Sequence, residues 1–192
     1  MSQLKMYWLA GTPVEDMQLP QGYSFSNYKS PRDKMPWVEC CKDGLVADDA
    51  DEKTFDARIK RHKGIRMKKD VFFIDHNGEH VGTITAVYHR KENIGEIHMV
   101  GIRPDYRGKG LGRFINNIAV KKLRDEGVRY IYLTTDEWRK AAVKSYLTAG
   151  FVPVEYDEGM QQRWEAVITE YGIKSVDMVN EDGGFYTTIY SK

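Results

Sequence analysis

Arg107-Gly108-Lys109-Gly110-Leu111-Gly112 is the stretch on which the reading of this chain turns. Before it, Glu96-Ile97-His98-Met99-Val100-Gly101-Ile102 has the length and composition of a strand, which Pro104 ends. After it, Leu111, Phe114, Ile115, Ile118 and Leu123 recur at helical spacing until Gly127. A glycine-rich turn between a strand and a helix leaves backbone N–H groups unpaired at the positive end of the helix. Glycines there remove the Cβ atoms that would hold a phosphate away. Two nucleotide motifs are excluded: Lys109 is followed by glycine rather than Ser or Thr, and Gly108, Gly110 and Gly112 lack the third-glycine spacing of the dinucleotide fingerprint. What remains is R-x-x-G-x-G.

Working outward, Val71 to Ile74 and Val81 to Tyr88 are β-branched and aromatic runs flanking Asn77-Gly78, a hairpin signal, and a second turn from Lys91 to Gly95 leads into the strand at Glu96. An antiparallel meander is therefore expected. Tyr23 to Tyr28 alternates aromatic and polar residues as a further strand, whereas the chain up to about Gly22 reads as irregular. Ser30-Pro31-Arg32-Asp33 opens a helix carrying Trp37 and Cys41. A second helix places Phe55 and Ile59 on one face, with acids at its start, bases at its end and Gly64 as its stop. Beyond the central helix, Tyr130 to Leu133 is a strand, Ala142 to Leu147 a helix and Gly150 to Val154 a strand, a crossover that implies a parallel pair. Trp164, Val167, Ile168 and Tyr171 mark a last helix before a glycine-containing tail.

The chain has 192 residues with a formal net charge of +1, a length that suits one domain with a real core and a charge that offers no field for a polyanion. Nucleic acid is not an expected partner. No apolar run approaches the roughly 18 residues of a membrane span, so no membrane partner is expected either. Cys40 and Cys41 are adjacent, where a bridge would be strained, which points to a reduced, cytoplasmic setting. His62, His76, His80 and His89 show no ligand spacing, so no metal is expected. The basic run from Arg58 to Lys69 reads as a solvated helix end. Trp37, Phe55, Tyr23 and Phe25 read as core, with the lining of an acceptor pocket as the other reading.

The motif after a meander, opening an amphipathic helix and followed downstream by Tyr146-x-x-x-Gly150-Phe151, resembles the GNAT superfamily of acyl-CoA-dependent N-acetyltransferases. The resemblance covers about residues 23 to 155 and is most specific at Arg103 to Gly112 and Tyr146 to Phe151. It implies an α+β fold layered α/β/α: a mixed sheet with an antiparallel meander, a splayed parallel strand pair after it, and flanking helices. Residues 1–192 would be one domain, with a C-terminal helix and tail from about 156. It also implies acetyl-CoA as cosubstrate. Backbone amides of Arg107, Gly108, Lys109, Gly110, Leu111 and Gly112 would hold the pyrophosphate, with Lys109 and Arg113 adding charge. Pantetheine would run along Val100, Gly101 and Ile102, where Gly101 offers the easiest site for a strand distortion.

Acetylating an amine requires a base, because an alkyl ammonium has a pKa of about 10.4. Glu96 and His98 share one side of their strand by its two-residue period. Their offsets before Arg107 resemble those at which such enzymes carry a general base; Glu96 is favoured, with His98 as rival or relay and Asp136 on the following strand as an alternative. Tyr146 resembles the tyrosine that protonates the departing thiolate. Arg139 departs from the family pattern, in which asparagine often precedes that tyrosine by seven residues. The acceptor implied is a primary amine of a small molecule or peptide, attacked directly in a ternary complex. A CoA-binding sensor without catalysis is the alternative, and a homodimer is left open.

Overall fold

The computed structural model describes residues 2–192. In chain order the elements are β1 (Leu4–Leu9), β2 (Tyr23–Asn27), α1 (Lys34–Cys41), α2 (Glu52–Phe55), α3 (Met67–Asp70), β3 (Val71–His76), β4 (Glu79–His89), β5 (Ile94–Ile102), α4 (Leu111–Asp125), β6 (Tyr130–Thr135), α5 (Lys140–Thr148), β7 (Val152–Glu155), α6 (Met160–Tyr171), β8 (Ser175–Asn180) and β9 (Phe185–Tyr190). They fall into two compact units, Val14–Arg129 and the chain up to Pro13 with Tyr130–Lys192.

In Val14–Arg129, β2, β3, β4 and β5 form the expected antiparallel meander. Asn77 and Gly78, with φ of 51° and 86°, make the tight turn joining β3 to β4, the two successive positive φ values that an Asn-Gly hairpin favours. β4 is buried without interruption from Val81 to Val87, as befits a strand covered on both faces, and α1 and α4 both pack on it. Ser30 and Asp33 form a capping box at the short helical turn that leads into α1. The second expected helix is split: α2 runs into a π-helical turn, Asp56–Lys60, that still buries Phe55 and Ile59. Phe55 stacks on Tyr28 and meets Trp37 edge-on, so Trp37 and Phe55 are core residues rather than pocket lining.

A buried ionic cluster fastens α4 to the meander. Asp70, fully buried, receives Arg66 at 2.8 Å and Lys122 at 2.8 Å, and Lys122 also donates to the Ala86 carbonyl at 2.7 Å. Burial alone would raise the Asp70 carboxyl, but hydrogen bonds from Arg66 and Lys122 outweigh it and hold its pKa below the ordinary value. On the same helix Asn117 donates to the Glu15 carbonyl and Lys121 pairs with Asp16.

In the other unit the strand order is β6-β1-β7-β8-β9. The expectation of an irregular beginning fails here. β1 pairs antiparallel with β6 from Leu4↔Thr135 to Leu9↔Tyr130, and with β7 at Met6↔Pro153 and Tyr7↔Val152. Leu4, Met6, Tyr7 and Trp8 are all buried, and a strand walled on both sides carries no alternation to read. β1 thereby separates β6 from β7, so the crossover between those two strands does not make a directly bonded parallel pair. The parallel pair formed within this unit is β7 with β8, Val154↔Val179, joined by the α6 crossover. The glycine-containing tail is the β8–β9 hairpin.

Candidate active site

The turn after β5 has the form that the sequence predicts. Pro104–Tyr106 makes one 3-10 turn, Gly108 and Gly110 take φ of 73° and 74°, and α4 then starts at Leu111. Only glycine adopts such φ readily, and α4 begins with no side chain capping its first N–H groups. Leu111 is buried beneath the turn while Arg107, Gly108, Lys109, Gly110 and Arg113 are exposed. A 15-residue helix thus presents its amides and positive end beside exposed cations, a ready seat for a diphosphate. Lys109 lies 4.3 Å from the Tyr106 ring and Arg113 4.6 Å from Phe114. The Arg107 guanidinium is turned back: it pairs with Asp43 and donates to the carbonyls of Ile102 and Lys42, stapling the turn to the strand end.

β5 is distorted, though not at the glycine. The β4–β5 ladder passes from Thr85↔His98 to Thr83↔Gly101, so Met99 and Val100 stand against Ile84 alone. Met99 takes φ of 53°, placing the bulge there and taking the Met99–Val100 backbone out of register. Gly101 has another reason to be glycine. A Cβ on it would lie 2.4 Å from the Cys40 carbonyl oxygen and 2.9 Å from its carbon, so the end of α1 rests directly on the strand.

Glu96 and His98 lie together on β5, with His98 Nδ1 3.7 Å from Glu96 Oε1. Two residues from elsewhere join them. His89, at the end of β4, approaches Glu96 Oε2 through Nε2 at 2.7 Å, and His62, in the turn after the π-helical segment, brings Nε2 to 3.5 Å from Oε1. His62 and His98 rings lie 4.5 Å apart. Burial lowers the His98 pKa, against the opposing pull of Glu96, which favours its neutral form. His62 and His89 had no signal in the sequence, because only the β4–β5 register and the fold of the basic run bring them to Glu96.

Tyr146, on α5 in the other unit, is buried against Phe151, and burial pushes its phenol up to about 12, keeping it protonated. Asp136 is less suited to be a base: Gln3 and Arg139 both donate to it, at 2.9 and 3.0 Å, and lower its pKa. Arg139, where relatives often carry asparagine, binds Asp136 at the start of α5 and lies over Trp138 at 4.3 Å.

Residues 31–151 match the profile of the Acetyltransferase (GNAT) family. The mycothiol acetyltransferase of Streptomyces coelicolor is 28% identical over 152 residues, 78% of this chain and 49% of that protein. That of Frankia casuarinae is 28% identical over 176 residues, 85% of this chain and 50% of that protein. The chain spans about half the length of these curated relatives. Among solved structures, a GCN5-related N-acetyltransferase from Sphaerobacter thermophilus superposes with a TM-score of 0.63 at 18% identity, over 80% of this chain and 49% of that one. The diaminobutyrate acetyltransferase of Paenibacillus lautus, solved with L-2,4-diaminobutyric acid and coenzyme A, gives 0.53 at 17%, over 66% and 73%. At those identities the likeness is one of fold, while the profile match covers well over half of the chain, and the chain belongs to the GNAT acetyltransferase family.

Proposed function

We propose that the chain is an N-acetyltransferase that takes acetyl-CoA as its acyl donor and a primary amine, of a small molecule or a peptide, as its acceptor. The observation that carries the reading is the uncapped, glycine-led start of α4 directly after a strand whose backbone is bulged at Met99–Val100. The amides from Arg107 to Gly112 hold the diphosphate, and the out-of-register backbone of Val100, Gly101 and Ile102 receives the amide-bearing pantetheine arm. The curated relatives, both named mycothiol acetyltransferase, favour a small-molecule acceptor.

In this reading Glu96 takes a proton from the acceptor ammonium, which frees the nitrogen lone pair. The nitrogen attacks the thioester carbonyl carbon, whose oxygen draws on a backbone N–H near Val100 as the C–N bond forms. The C–S bond then breaks and the Tyr146 hydroxyl passes its proton to the sulfur, while the proton still on the new amide nitrogen leaves through water and restores the tyrosine. His98 stands beside Glu96 as a relay. Cys40 and Cys41 are fully buried, and burial raises both thiols, to about 12 for Cys40, so neither offers a thiolate for a covalent acyl intermediate.

Release of free CoA thiol from acetyl-CoA in the presence of an amine panel tests the activity directly. Gly110→Val must force a β-branched residue to φ of 74°, and calorimetric titration is expected to show acetyl-CoA binding lost. Glu96→Gln and Tyr146→Phe are expected to retain acetyl-CoA binding while turnover falls about 10²- to 10⁴-fold. Unchanged turnover in both Glu96→Gln and His98→Ala would remove this face of β5 from the chemistry. Binding without thiol release across the panel would leave a CoA-binding module.

A further inference from the structure

We propose that His62, Glu96 and His98 form a site for a divalent transition-metal ion of the zinc class. The three residues offer one ligand atom each, all within 4.8 Å of one another. His62 Nε2 and His98 Nδ1 lie 3.5 and 3.7 Å from the same oxygen, Glu96 Oε1. Tetrahedral zinc, with bonds of about 2.0–2.1 Å, sets its ligand atoms about 3.3 Å apart, so small side-chain rotations close the site.

The hydrogen bonds behind these atoms set the cluster apart from a chance meeting of polar side chains. His98 Nε2 faces the Arg58 carbonyl at 3.1 Å and His62 Nδ1 faces the Lys63 carbonyl at 3.0 Å. A carbonyl only accepts, so each ring carries its proton on the nitrogen that faces it. In the neutral ring the other nitrogen then turns a bare lone pair towards Glu96 Oε1. Two lone pairs converging on a carboxylate oxygen repel one another unless a positive charge lies among them. The second carboxylate oxygen is held by His89 at 2.7 Å. Each ligand therefore already has the outer partner that fixes tautomer and orientation in metal centres.

The donor set selects the ion. Two imidazoles and one carboxylate suit zinc and its borderline neighbours, whereas magnesium and calcium take oxygen ligands. Three protein ligands leave a fourth position for water. The side chains are partly exposed, His62 the most at 27%, so the ion has a route in from solvent. The metal competes with the acetyl-transfer reading for Glu96, because a carboxylate that coordinates an ion no longer takes a proton. Zinc is therefore expected to inhibit turnover, while the readout of the site is metal bound to the chain.

Equilibrium dialysis of the full chain against zinc(II) is expected to retain a single equivalent, and cobalt(II) to give the intense visible bands of a four-coordinate ion. His62→Ala and His98→Ala should each lose the bound metal, and His76→Ala, remote in sequence and strand, should keep it. His89→Ala should weaken it about 10- to 100-fold. His62 lies in a turn outside every strand and helix, so its replacement probes the site without disturbing the sheet, and circular dichroism checks the fold of each variant. The proposal is overturned if wild-type protein retains no metal or if His62→Ala and His98→Ala retain it undiminished. Thiolate-to-cobalt charge transfer, pointing to Cys40 or Cys41, overturns it as well.

Discussion

Gly101 and Arg107 show how far single residues depend on what surrounds them. The sequence marks Gly101 as a place where a strand could distort, yet the bulge falls at Met99, and the glycine is required by the Cys40 backbone lying across it. Gly101→Ala must push backbone aside rather than a flexible side chain, so it is expected to cost about 1–3 kcal/mol, read as a lower denaturant midpoint. An unchanged midpoint would mean that α1 yields freely. Arg107 reads from the motif as part of a phosphate seat, and its residue type gives no side-chain direction. The fold turns its guanidinium back onto Asp43 and the Ile102 carbonyl, leaving the backbone amides and Lys109 to face outward. Glu96 and His98 were legible as a pair because a period of two places them on one side. Their partners His62 and His89 were not, because histidines far apart in sequence meet only through strand register and loop path.

At the scale of elements, strong local signals translated directly. Asn77-Gly78 became the β3–β4 turn, the Ser30–Asp33 capping box led into α1, and the glycine turn led into α4. Elements specified by tertiary burial were harder to read: β1 has no alternation because successive side chains, Met6, Tyr7 and Trp8, are buried on both of its faces, and α2 passes into a π-helical turn that periodicity alone would not break. The attachment of α4 depends on a salt-bridge cluster spread over α3, β4 and α4, which no local pattern announces. Asp70→Asn leaves Lys122 and Arg66 without their carboxylate. Because Arg66 keeps some exposure and Glu126 remains, the loss should fall towards the lower end of the about 3–5 kcal/mol typical of breaking a buried pair. Thermal or denaturant melts of the variant check it; a loss within error would make the cluster incidental to α4 docking.

For the molecule as a whole, the same carboxylates set the acid limit of stability. Asp33, Asp70, Glu126 and Asp136 are all held below their ordinary pKa, each with burial opposing and hydrogen bonds or cationic partners prevailing. A depressed carboxyl contributes stability above its unfolded pKa of about 4, and that stability is lost as pH falls through the lower folded value. Stability should therefore be level near neutral pH and fall below about pH 4, with Asp70→Asn flattening part of that limb. An acid limb of identical slope in the variant would assign the loss to other groups. The sequence by itself determined the α+β class, the meander, the glycine turn heading a helix, and the resemblance to the acetyltransferases, because turn chemistry and periodicity are local and survive without a partner. Only the tertiary structure decided where the bulge lies, which strand separates β6 from β7, and that two histidines from separate segments converge on Glu96, because register, burial and side-chain direction exist only once distant segments pack.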